Sequence, residues 1–103
     1  MNRKKDEFIR YVVLLSHIPG KSMSEKLVRD HVSHLKMLDE KGQLVLCGPF
    51  SDFEGGMVVI KAASYDEAKD IAENDPFVKE GVENYELRTL ELSCKENNHM
   101  GMG

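Results

Sequence analysis

His31 and His34 stand three residues apart in the segment EKLVRDHVSHLKMLDEKG, where Leu27, Val28, Val32, Leu35 and Leu38 recur at helical spacing. Residues on a helix advance by about 100° each, so His31 falls inside the apolar arc and His34 at its edge. An imidazole turned into an apolar layer is either a satisfied structural group or a base held in a pocket, and a pKa near neutrality suits it to proton transfer. The sequence leaves both readings open. The His-x-x-His spacing would also place two imidazoles on adjacent turns, as in a metal pair. No further ligand is evident and no carboxylate sits at HExxH spacing, so no metal and no cofactor are expected.

Asp75 precedes Pro76 at the end of a second helical pattern. There it is a ready turn device, because an Asp side chain bonds nearby backbone amides and the proline cannot continue the helix. Gly48-Pro49, with Ser51 and Asp52 behind, either shapes the mouth of a pocket or simply stops a strand. Ser51 follows Gly-Pro-Phe and not a nucleophile elbow, so covalent catalysis finds no support. Gly55-Gly56 has no helix behind it and is expected as a turn, not a phosphate cradle. Cys47 lies in an apolar run, where it should be buried, and Cys94 lies near the far end; both are expected as free thiols.

The elements that must position these residues follow from local pattern. FIRYVVLLS, residues 8–16, is rich in β-branched and aromatic residues and is stopped by Pro19-Gly20. Ser22 with Glu25 makes a capping box for a helix over residues 23–41, which Gly42 closes. QLVLCGPF (43–50) and GMVVIKAA (56–63) read as a hairpin of strands, and Ser64 with Glu67 caps a second helix whose inner stripe is Ala68, Ile71 and Ala72, with Tyr65 at one end. Residues 84–92 alternate polar and apolar as a last strand. The order βαββαβ implies an α+β, ferredoxin-like fold: a four-stranded antiparallel sheet with two helices on one face. The expected organisation is a polar segment over 1–7, one domain over 8–92 and a flexible tail over 93–103.

Both faces of that sheet are apolar, with Ile9, Tyr11, Val13 and Leu15 opposite Phe8, Val12 and Leu14 in the first strand, and Leu44 and Leu46 opposite Val45 and Cys47 in the second. Two helices cover only one face, so a homodimer joined through sheet faces is expected. Composition narrows the partners. A chain of 103 residues with 41% hydrophobic and 31% charged residues builds one globular domain. A net charge of −4 and no basic stripe argue against nucleic acid, and no apolar run is long enough to cross a membrane. With no export signal evident, the expected location is the cytoplasm.

The ordered set of RDHVSHLKMLDEKGQLVLCGPF (29–50), SYDEA (64–68) and NDPFVKEGV (74–82) resembles the YCII-related (YciI-like) family over nearly the whole chain. A helix His eleven residues before the glycine that opens the second strand, Gly48-Pro49 at its end, and Asp75-Pro76-Phe77 with Gly81 behind carry the likeness. The resemblance implies a dimeric α+β barrel and a His-Asp dyad, which falls here on His31 and Asp75, with His34 where the family varies. It therefore implies a small-molecule enzyme in which His31 is the general acid or base and Asp75 orients it. Isomerase- or lyase-like chemistry on a small cyclic or unsaturated substrate fits such a site, with Gly48, Pro49, Ser51 and His34 as substrate-binding candidates. The alternative is a non-catalytic ligand-binding or structural dimeric module.

Overall fold

The computed structural model describes residues 7–103. All but one residue of the expected N-terminal polar segment lies outside them. The β-branched run forms β1 (Ile9–His17), and the hairpin forms β2 (Leu44–Pro49) and β3 (Gly55–Ile60). The final strand, β4 (Glu83–Glu91), begins one residue earlier than the alternation suggests. The four strands make one antiparallel sheet in the order β2-β3-β1-β4, the ferredoxin-like topology.

The first long helix, α1 (Glu25–Glu40), departs from expectation at its start. Ser24, not Ser22, is its cap: the Ser24 hydroxyl accepts from the Leu27 amide at 3.1 Å. Either serine has the chemistry, but a hydroxyl serves an amide three residues on, and only Ser24 is so spaced from this first turn. At the other end Gly42, at φ +73°, closes the helix with Gln43 N–H bonded to Leu38 O at 2.9 Å. The second helix, α2 (Tyr65–Glu73), is capped by Ser64, whose hydroxyl accepts from Glu67 N–H at 3.1 Å. Glu67 completes this start by accepting from the Ala63 amide at 2.7 Å, one residue upstream of the capping-box position.

Helices pack on one face only. Leu38 of α1 and Ala68 and Ala72 of α2 meet Tyr11, Val13, Leu15, Val58, Ile60 and Leu87 of the sheet in a single buried cluster. Ile71 packs at the edge of this cluster, while Tyr65 is 48% exposed and meets Tyr11 edge-on. The opposite face carries Val12 and Leu14 of β1 and Met57 and Val59 of β3, but β4 sets Glu86 and Arg88 beside them. That face is thus apolar at its centre and charged toward one edge.

Strand β2 differs most from a strict two-residue alternation. A register shift between Leu44 and Leu46 puts Leu44 opposite Ile60 and Cys47 opposite Val58, both on the helix face, with Leu46 on the other. The extra residue of a bulge reverses the facing of everything beyond it. Cys47 is exposed, contrary to the expectation of burial, because β2 is an edge strand that the helices barely cover. Gly55-Gly56 is the start of β3 and not a turn. A side chain at Gly55 would lie 2.0 Å from the Leu15 carbonyl oxygen, so this crossing needs a residue without one.

After β4 the chain forms a 3-10 turn (Lys95–Asn97) followed by a left-handed turn in which Asn98, His99 and Met100 all have positive φ. Among the described residues no helix is long and apolar enough to cross a membrane. Ile60 is fully buried at the centre of the cluster. Ile60→Ala is expected to cost about 2–5 kcal/mol, as transfer plus cavity. Urea unfolding should show a lower midpoint at unchanged slope; an unshifted midpoint would refute this account of the core.

Candidate active site

The segment after α2 determines the geometry of the site. Asp75-Pro76 ends α2 but immediately starts another helix, α3 (Pro76–Lys79), with Asp75 as its cap and Pro76 at the first helical position. Proline suits that position because its missing N–H would have had no partner there. One carboxylate oxygen of Asp75, Oδ1, accepts from the Phe77 amide at 2.9 Å. Gly81, at φ +73°, lets the chain leave α3, with Val82 N–H bonded to Phe77 O at 2.9 Å, and feeds it directly into β4 at Glu83.

The same Oδ1 meets Nδ1 of His31 at 2.8 Å. Both side chains are sheltered, at 14% and 4% exposed. Because Oδ1 is already an acceptor for Phe77, the ring nitrogen facing it carries the hydrogen and donates. Nε2 is then the nitrogen left without its proton, the form a general base needs. The Phe77 ring stacks on the imidazole, with centroids 4.0 Å apart and planes 14° from parallel. Orientation, tautomer and ring plane are therefore all fixed by a short stretch, Asp75-Pro76-Phe77.

His31 lines a cleft of about 750 Å³ on the helix face. Val28 and Val32 of α1 form one wall, and the exit of β2 and the entry of β3 form the other. Gly48 and Pro49 line this cleft, as the sequence suggests, and Phe53, 59% exposed, stands at its mouth. Two substrate-binding candidates do not line this cleft. Ser51 borders a shallow depression formed by residues 50–54, which shares Phe50, Phe53 and Glu54 with the cleft. His34 is half-buried and faces α2, with the Ile71 backbone as a partner, since it stands one turn on from His31 and about 60° round the helix. Burial pushes the His34 pKa down; His31 adds to this and the Asp75 charge opposes it.

Two cleft residues escape sequence reasoning. His17 continues the inward alternation of Tyr11, Val13 and Leu15, and Glu83 precedes Tyr85 and Leu87 on the inward side of β4. The two are cross-strand partners. A charged residue in phase with an inward apolar series is the signal that could have found them. Glu83 is only 6% exposed. Its pKa is raised, first by burial and then by the Asp75 charge, while His31 and His17 act in the opposite direction.

This arrangement of fold and sequence matches the model of the YCII-related domain over residues 9–91. The chain belongs to that family. It is 34% identical over 86 residues to Uncharacterized protein YjpA of Bacillus subtilis (strain 168), an alignment that spans 84% of this chain and 93% of YjpA. Among solved structures it is similar to 5-chloro-2-hydroxyhydroquinone dehydrochlorinase (TftG) from Burkholderia phenoliruptrix AC1100, determined in complex with 2,5-dihydroxybenzoquinone. The TM-score is 0.59 at 23% identity, covering 80% of this chain and 93% of that one, a likeness of fold.

The lowered His34 pKa has a consequence for stability. The unfolded chain takes up a proton near pH ~6.5 while the folded chain resists it, so stability is lost as pH falls from about 6.5 through the lower folded value. Glu83, with its pKa raised, acts in the opposite sense, losing stability as pH rises above the usual carboxylate range. Its contribution is common to wild type and His34→Gln, so thermal unfolding of the two isolates His34. The wild type should lose more stability than His34→Gln between neutral pH and about pH 5; equal losses would contradict the assignment.

Proposed function

We propose that this protein is a small-molecule enzyme in which His31 is the general acid or base and Asp75 orients it. The observation that carries this reading is the 2.8 Å contact between Nδ1 and a carboxylate oxygen that is itself anchored, at the side of an apolar cleft. An orienting carboxylate fixes which nitrogen accepts a proton and favours the imidazolium once it has formed. Proton abstraction next to a carbonyl or along an unsaturated system, as in isomerisation or elimination, needs little more than such a base. The TftG neighbour supports the substrate class, since it is named as a dehydrochlorinase and binds a small hydroxylated cyclic quinone. A small cyclic or unsaturated compound is the proposed substrate, held by apolar walls and by the backbone of Gly48 and Pro49.

The proposed assembly is a homodimer through the face of the sheet that carries Val12, Leu14 and Met57. The half-buried side chains there, with Leu46 at 52% and Leu90 at 41% exposure, are the reason a second sheet would be stabilising. Two free cysteines, one exposed, fit a reducing compartment, and we place the protein in the cytoplasm.

Turnover of hydroxylated and halogenated cyclic compounds, followed by absorbance and halide release, tests the chemistry. His31→Ala should lower kcat by about 10²–10⁴-fold, the range of a general acid-base group, and Asp75→Asn should lower kcat with KM little changed. Ligand binding with no turnover by the wild type would replace the enzyme with a binding module. For the assembly, sedimentation should find a dimer burying roughly 1,200–2,000 Å². A folded monomer at micromolar concentration would remove that proposal.

A further inference from the structure

Glu83 has no part in the dyad, yet its position is unusual for an acid. It is 6% exposed at the first residue of β4 and lines the same cleft as His31. Among the described residues no donor is hydrogen-bonded to its carboxyl. The titratable groups whose charges act on it come from three elements: Asp75 from the turn before α3, His31 from α1, and His17, its cross-strand partner, from β1. Glu54 and Cys47 stand further along the cleft wall. Burial of the residue and the like charge of Asp75 both shift this carboxyl toward its protonated form, in which it is a hydrogen-bond donor.

We propose that Glu83 is a second proton-carrying residue of this cleft, one that touches an oxygen of the substrate while His31 serves the neighbouring carbon. This rests on the dyad reading and narrows its substrate class. The ligand must carry a carbonyl or enol oxygen beside the carbon that exchanges its proton. In the forward step Nε2 of neutral His31 takes the proton from that carbon. The C–H pair becomes a carbon-carbon double bond, the carbonyl π pair moves onto oxygen, and that oxygen takes the Glu83 proton. The site passes from two neutral groups to imidazolium and carboxylate with no change in net charge. Return of the oxygen's proton to Glu83 re-forms the carbonyl. The electron pair then either takes a proton from His31 at a different carbon, an isomerisation, or expels a leaving group as an anion, an elimination.

Such a donor favours an oxygen-rich ligand only while it holds its proton. Burial and the charge of Asp75 both favour that protonated form, with His17 and His31 restraining it.

The probe is 2,5-dihydroxybenzoquinone, whose visible absorbance reports binding. Wild-type affinity should fall about tenfold per pH unit once Glu83 deprotonates, as expected where binding requires one proton. Glu83→Gln, a permanent donor of the same shape, should bind the probe with that pH dependence removed; the probe's own ionisation is common to both proteins. Identical pH dependence in the two, or no binding by the wild type at any pH, would overturn the inference. Should Glu83→Gln fail to fold, carbon-13 detection of the Glu83 carboxyl in the wild type decides. A titration midpoint above the usual carboxylate range and moved by the probe supports it, and an ordinary, unmoved midpoint overturns it. The dyad reading fails separately, if turnover survives His31→Ala while probe binding still follows Glu83.

Discussion

One oxygen atom, Oδ1 of Asp75, joins the backbone to the imidazole. It accepts at once from the Phe77 amide and from His31 Nδ1. A four-residue helix such as α3 has too few internal bonds to persist on its own, so it depends on its cap and on the bonds that close its far end. The cap that sustains α3 is therefore the group that orients His31, and the ring it places, Phe77, is the one that stacks on the imidazole. A change at Asp75 would act on the local backbone and on the histidine together. The stability of this segment and the orientation of His31 are therefore coupled.

Charge around this atom is arranged so that each buried group leans on another. Asp75 is buried with an amide and an imidazole as its partners, which offsets the cost of removing it from water. Glu83, as deeply buried but without such donors, feels Asp75 as a like charge and is pushed toward its neutral form. His34 shows that proximity alone does not decide. Asp75 attracts its proton, yet burial against α2 outweighs the attraction. Two histidines one turn apart on α1 thus have different environments, because only His31 has a direct contact with the carboxylate.

The βαββαβ order, the cap at Ser64 and the closing glycine at Gly42 were legible because each is a local pattern with a local cause. The meeting of His31 with Asp75 was reached through the family resemblance, since nothing in the spacing of two residues on separate elements requires contact. What sequence reasoning missed is non-local. Whether Ser22 or Ser24 caps α1 depends on how the chain leaves β1, and both offer the same hydroxyl. The bulge in β2 has no residue signature, yet it moves Cys47 to the helix face and leaves it exposed at the sheet edge. Glu83 lies one residue before the alternating stretch 84–92, because a charged residue at the start of a strand breaks the polar–apolar pattern that marks it. Only the alternation with Tyr85 and Leu87, carried one position further back, marks it as inward.

The cleft itself follows from a mismatch between the two layers. The helical layer buries the centre of the sheet, where Ile60 and Leu38 lie at 0% and 1% exposure. At the ends of β2 and β3 that cover runs out, and Cys47, Gly48 and Pro49 face α1 across open space. Glycines at the entry of β3 let strands approach closely but fill no volume, so the gap is not closed from the sheet side. Valines on α1 line the gap with apolar surface, and the polar groups that reach it, His31, His17 and Glu83, come from three different elements fixed by the core. A cavity with apolar walls and a few convergent, well-held titratable groups is the form that suits a small ring with polar edges. Because the proposed dimer would use the opposite face of the sheet, it could form without occupying this space, and the site would keep its opening to solvent.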